Sequence, residues 1–323
     1  MLSRRRFTAA LLAASAAPAF GQGVDALRRQ ARGLKQLHAI LVQRGDEVLL
    51  AEALRGPGLD RAANIKSGSK SVVALLLGTA VARGEVRLGQ SLREIAPRLI
   101  PANATPGAGA ITLEDLVTLR AGLENTSGRN YGAWVNSGNW TAYALRRPMI
   151  DAPGGAMIYS TGSTHLLGAA LAIAAKKTLL QLARERLGAP LRIEIPGWTR
   201  DPQGYYFGGN EMALTPRAML KLALLMRDRG RHETAQVIPE SWIAASVTPR
   251  TRSPFSGLAY GYGWFLSDSG WILARGYGGQ IIAAQPQKRL AVAITSDPAQ
   301  PARSEGHFGS LMELLEGPIA ALA

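Results

Sequence analysis

Apolar positions fall into two rhythms along the chain, and the rhythm changes at defined breaks. Residues 24–37 (VDALRRQARGLKQL) carry Val24, Leu27, Leu34 and Leu37 at helical spacing between arginines, which predicts an amphipathic helix. AILVQ and VLLAEAL then flank a turn at Gly45-Asp46 and read as a β-hairpin. From Ser71 to Ala82 almost every residue is apolar, and Gly84 ends the run. A helix that is apolar all round has to be buried, so its polar first turn must face an interior surface or a cleft. ITLEDLVTL (111–119) predicts a helix capped by Thr112 with Asp115 three residues on. Residues 122–155, rich in Gly, Asn, Trp and Tyr, read as loops around short helices. Further helices are expected over Thr164–Ala175, over 214–230 with Pro216 at the start and Gly230 at the stop, and over about 305–322.

Between the last two helices, YGYGWFLS, WILARG, QIIAAQP and LAVAITS follow one another with short connections and predict antiparallel strands. Strands at both ends with helices between them predict an α+β fold, an antiparallel sheet flanked by helices. The mainly helical part, approximately 90–235, would be a subdomain inserted into a single domain spanning 23–323.

The chain's 323 residues suffice for a large core, and at 47% hydrophobic and 19% charged it has a globular composition. It has no cysteine, which excludes disulfides, thiolate nucleophiles and cysteine-ligated zinc. Residues 1–22 have a basic head, a short apolar stretch and a small-x-small site at Ala17-Pro18-Ala19, the pattern of an export signal. Ser3-Arg4-Arg5-Arg6-Phe7 fits the twin-arginine type. The expectation is a periplasmic protein with no stable membrane anchor once the signal is removed. Removal of three arginines would take the formal charge from +14 to +11. Such a surface attracts anionic polymers, cell-wall material among them. No aromatic-interleaved basic stripe or helix-turn-helix pattern supports nucleic acid as a partner.

Ser67-Gly68-Ser69-Lys70 opens the buried helix and is the only S-x-x-K in the chain. Serine and lysine at i and i+3 share a helix face. A serine hydroxyl needs a neighbour to take its proton, and a desolvated lysine can do so. Two other segments stand out: Tyr159-Ser160-Thr161 after a Gly-rich turn, and RGYGGQIIAAQP at the entry to a strand. No G-x-S-x-G elbow is present, and His232-Glu233 lacks the second histidine of a zinc protease, so neither a metal nor an organic cofactor is implied. His165, among apolar neighbours, reads as a packed histidine. Asn130, Tyr131, Trp134 and Trp140 could line a pocket or pack their loop on itself.

The order S-x-x-K, Y-x-T and late glycine-rich strand resembles the serine β-lactamase and penicillin-binding superfamily, specifically its class C-like hydrolases. These include esterases, D-peptidases and nylon-oligomer amidases. LHAILVQRGDEVLLAEAL is similar to the family's first hairpin and ITLEDLVTLRAGL to its I-T-x-x-x-L-L-x-x-x-S-G-L segment. GGNEMALTPRAMLKLALLMRDRG is similar to its late helix, with VIPESWIAAS and YGYGWFL following in order. The resemblance implies that Ser67 is the acylated nucleophile, Lys70 its proton partner and Tyr159 the general base or acid. Which of Lys70 and Tyr159 takes the first proton stays open. It also implies an oxyanion hole from the backbone N–H groups of Ser67 and Gln280.

The family's third motif is a lysine or histidine, any residue, then glycine, at the entry to a late strand, and Tyr277-Gly278-Gly279 holds its place. Lys177-Thr178-Leu179 lacks the closing glycine and sits at a helix end. Thr161 stands where β-lactamases usually have asparagine, and Tyr277 where lysine or histidine meets the substrate carboxylate. Both departures favour an ester or amide substrate over penicillin or D-Ala-D-Ala. A β-lactamase or D-peptidase, and a non-catalytic binding protein holding anionic ligands, are the alternatives.

Overall fold

The computed structural model describes residues 21–323, so the export-signal pattern at its arginine run and cleavage site lies outside the described residues. The first helix, α1, covers 21–33 and stops four residues short of the span its periodicity predicts. Leu34 N–H closes a turn on Ala31 O, and Leu37 begins a strand instead. Leu37 is three from Leu34, as a helix asks, and two from Ala39, as a strand asks, and here it is buried in the sheet.

Eight strands build one antiparallel sheet: β1 (Leu37–Arg44), β2 (Glu47–Ala53), β3 (Thr251–Arg252), β4 (Ala259–Tyr260), β5 (Phe265–Leu266), β6 (Ile272–Arg275), β7 (Ile281–Gln285) and β8 (Leu290–Ser296). Their order in space is β2-β1-β8-β7-β6-β5-β4-β3. The first and last strands in sequence are therefore neighbours inside the sheet, with Ile40 opposite Ile294 and Val42 opposite Val292. The fold is α+β, as the strand runs at the two ends of the sequence predict.

Between the hairpin and the remaining strands lie α2 (Ser69–Ala82), α3 (Thr161–Ala175), α4 (Pro216–Arg227) and many single turns. Pro216 sits at the start of α4 behind the Thr215 cap, whose side chain accepts from Ala218 N–H. Helix α4 packs on β1, β7 and β8. The chain closes with α5 (His307–Leu314) and two further helical turns.

Helix α2 is the axis of the core: twelve of its fourteen residues are buried, polar first turn included. Leu75, Leu76 and Leu77 have no exposed surface, and each such side chain contributes about 1.5–3 kcal/mol on burial. The β4–β5 turn comes up close beside it. Ser71 Oγ donates to Gly263 O at 2.5 Å, and a Cβ on Gly263 would stand 2.4 Å from that of Ala74. Gly263 also has φ +77°, so only glycine fits there without strain.

Candidate active site

The nucleophile candidate Ser67 lies in a 3-10 turn, Lys66–Gly68, that runs into α2. This differs slightly from a serine and lysine on one regular helix. The turn keeps them together all the same: Lys70 Nζ is 3.1 Å from Ser67 Oγ.

Lys66, just before the serine, has φ +49°, a region costly for a residue with a Cβ. Its surroundings hold it there. Lys66 N–H donates to Asn64 Oδ1 (2.8 Å), Nζ pairs with Glu211 Oε1 (3.2 Å), and its carbonyl accepts from Ser69 Oγ (2.6 Å). Asn64 Nδ2 donates to the other Glu211 oxygen at 2.6 Å. Residues Ala63–Asn64 also pair with Ala213–Leu214, and Met212 N–H donates to Ser69 Oγ. The segment 209–214 is thereby stitched to the entry of α2.

That stitching places Gly209 O 2.8 Å from Lys70 Nζ. Lys70 is 3% exposed and has two further partners, Ser67 Oγ and Thr161 Oγ1 at 3.3 Å. Its Nζ also stands 4.9 Å from the centre of the Tyr159 ring. Burial pushes the Lys70 pKa below its usual value, and Tyr159 offsets that only in part. A lysine held this way is pushed toward the neutral amine. In that neutral form two N–H bonds would satisfy Gly209 O and Thr161 Oγ1, and the lone pair would face Ser67 Oγ. Among the described residues Ser67 has no other side-chain hydrogen bond, so Lys70 is the group in contact with the candidate nucleophile.

Thr161 opens α3 and has a second partner, Ser127, whose Oγ lies 2.9 Å from Thr161 Oγ1 and accepts from Thr161 N–H at 2.9 Å. Tyr159 is partly buried, its ring stacked on Phe265 at 6.5 Å and 20°. The three residues Ser67, Tyr159 and Thr161 line one cleft of about 880 Å³.

The glycine-rich segment brings only Tyr277 to that cleft. Gly276 N–H bonds Gln280 O and Gly279 N–H bonds Gly276 O, which closes a tight turn between β6 and β7. Gly279 has φ +91°, and a Cβ there would meet the His307 ring at 2.7 Å. A Cβ on Gly278 would lie 2.1 Å from Asp297 O. The Gln280 side chain turns inward: Oε1 accepts from Gly278 N–H and Nε2 donates to Ser296 O. Gln280 thus braces the turn with its amide, and, at 1% exposure, it is not among the residues that line the cleft, nor are Gly278 and Gly279.

His165 is a packed histidine. It and Asp201 have no side-chain exposure, and Nε2 lies 3.0 Å from Asp201 Oδ2. Gly208 N–H points at Nδ1 (3.4 Å), which leaves Nε2 to donate. Trp134, Trp140 and Phe207 surround the ring, so both tryptophans pack the loop. Asn130 donates to Asn125 O, while Tyr131 does line the cleft. Sequence reasoning did not find Ser127, Asn125, Arg129, Asn210, Glu211, Phe255 or Pro298, which complete the lining with Lys66 and Gly128.

A family model described as Beta-lactamase matches residues 27–309. The chain belongs to the beta-lactamase family. It is similar in structure to EstCE1, a hydrolase with promiscuous acyltransferase activity, with TM-score 0.76 and 15% identity over 95% of this chain and 100% of that one. A penicillin-binding protein homologue from Caulobacter crescentus gives TM-score 0.73 and 17% identity over 94% and 98% of the two chains. A penicillin-binding protein from Bacillus halodurans gives 0.70 and 15% over 90% and 99%. At these identities the likeness shows the fold. No curated protein matches the chain. The beta-lactamase family is one of serine hydrolases, and this member keeps the serine and lysine in hydrogen-bond contact.

Proposed function

We propose that the protein hydrolyses an ester or amide through an acyl-enzyme on Ser67. The observation that carries this reading is the 3.1 Å contact between Ser67 Oγ and the buried Lys70 amine at the floor of an open cleft. Ser67 Oγ attacks the substrate carbonyl as its proton passes to Lys70. The new C–O bond forms while the carbonyl π pair moves onto oxygen, where backbone N–H groups receive it. Collapse breaks the bond to the alcohol or amine, which leaves with a proton supplied through Lys70 or Tyr159. Water then repeats the attack on the acyl-serine, and the acid is released with Ser67 restored.

Tyr277 in place of a lysine or histidine, and Thr161 engaged with Lys70 and Ser127, support an ester or amide substrate over a β-lactam or D-Ala-D-Ala peptide. The twin-arginine pattern supports action in the periplasm.

Intact-mass spectrometry after a fluorophosphonate serine probe tests the reading. The expected result is one adduct on the wild type and none on Ser67→Ala. Folded wild type without an adduct would overturn it.

A further inference from the structure

The rim of the cleft has a composition that the acylation chemistry does not require. Among the described residues only four large hydrophobic side chains are exposed, and two of them, Phe255 (76%) and Tyr277 (56%), line this cleft. Exposed aromatics scattered singly need no explanation, but two converging on one opening mark an apolar contact surface. They arrive on separate elements, the β3–β4 loop and the β6–β7 turn. Tyr277 is fixed by Ala302 N–H donating to its carbonyl, and the Phe255 carbonyl accepts from Ser304 Oγ.

The charges in the lining are equally selective. Lys66 and Glu211 neutralise one another at 3.2 Å. Arg129 makes no ion pair or hydrogen bond among the described residues. It follows Ser127 by two positions, in the loop that holds Thr161. The cleft therefore has one uncompensated cation in a lining that is otherwise neutral, on a strongly basic chain. A guanidinium fits a carboxylate with two parallel N–H bonds.

We propose that the substrate is an ester or amide with an apolar segment lying against Phe255 and Tyr277 and a carboxylate at its far end held by Arg129. This rests on the acyl-enzyme reading and names the substrate class for it. The site differs from the third-motif carboxylate position, which Tyr277 occupies without a charge.

The test uses mono-p-nitrophenyl esters of adipic, suberic and sebacic acid beside the same compounds with the free carboxylate capped as a methyl ester. Within one protein preparation, kcat/KM for acid over capped ester is a ratio in which any misfolded fraction cancels. At low ionic strength the wild type should favour the free acid by about fivefold at the best chain length, the scale of a partly solvated ion pair. Arg129→Gln should bring the ratio to about one, and Arg129→Glu should bring it below one. Phe255→Ala should flatten the rise of kcat/KM with chain length. A wild-type ratio of one or less, or a ratio unchanged in Arg129→Gln, overturns the proposal. Binding of the same pairs to Ser67→Ala reads Arg129 apart from turnover. Preference for the acid there, with no turnover or probe adduct on the wild type, would support Arg129 and sink the acyl-enzyme instead.

Discussion

Replacing Lys70 with methionine separates chemistry from stability at one buried position. Methionine fills a similar volume but has no proton acceptor for Ser67 Oγ, which sits 3.1 Å from Nζ. A positioned base is worth about 10²–10⁴ in rate, or about 3–5 kcal/mol of barrier. On the stability side two effects oppose. Gly209 O loses the N–H at 2.8 Å, a loss of about 1–3 kcal/mol for a buried acceptor. Against this, the core no longer encloses an amine whose charged form burial disfavours. Each unit by which the folded pKa is depressed corresponds to about 1.4 kcal/mol. The two oppose each other, so Lys70→Met should lose less stability than the broken hydrogen bond alone would cost, at most about 3 kcal/mol.

The same variant has a pH signature with a fixed sign. Between the depressed folded pKa of Lys70 and its ordinary value of 10.5, the unfolded chain binds more protons than the folded one. Wild-type stability relative to Lys70→Met should therefore rise with pH across that window and level off above it. The assays are the second-order fluorophosphonate labelling rate by intact mass and urea melts over a pH series. Labelling of Lys70→Met at the wild-type rate would refute the assignment of the lysine as proton acceptor. A relative stability that falls as pH rises would refute the account of its burial.

Two further substitutions probe the frame around the site. His165→Leu leaves Asp201 Oδ2 without its buried partner at 3.0 Å and should destabilise by about 3 kcal/mol in urea melts, whereas a change under 1 kcal/mol would contradict the pairing described. Gly279→Ala forces a Cβ against the His307 ring at a φ of +91° and should cost about 1–3 kcal/mol, with ester turnover slowed because the turn also presents Tyr277. Wild-type stability and turnover in that variant would show the turn to be pliant.

The sheet was readable from the sequence because its strands are short apolar runs set off by turn residues, and the polar–apolar contrast survives without a neighbour's help. The buried run of α2 was readable for the same reason, and Thr112 with Asp115 does form a capping box. Helix α1 begins three residues before Val24 and ends four before Leu37, which with Ala39 and Leu41 fits strand spacing instead. Within the site, Ser67 and Lys70 could be paired because they lie three positions apart. Gly209 could not be paired with Lys70. The group that meets the lysine is a backbone carbonyl 139 positions away, and carbonyls have no residue-type signature. Ser127 escaped notice because a serine in a Gly- and Asn-rich loop looks like any turn residue until Thr161, 34 positions on, closes over it. Trp134 and Trp140 were ambiguous by composition, and only the enclosed His165 ring shows which way they face.

The mounting of Ser67 separates two things an enzyme must supply. Ser67 and Lys70 stand on a short 3-10 turn and the buried helix it runs into, whereas Arg129, Phe255 and Tyr277 stand on loops and a turn at the mouth. Changing what enters is then a matter of exchanging rim side chains that little else leans on, and the acylating pair need not shift. Shifting Ser67 and Lys70 to new positions would mean moving the helix around which the core is assembled. Such a scaffold can acquire new preferences by small steps while its reaction stays the same.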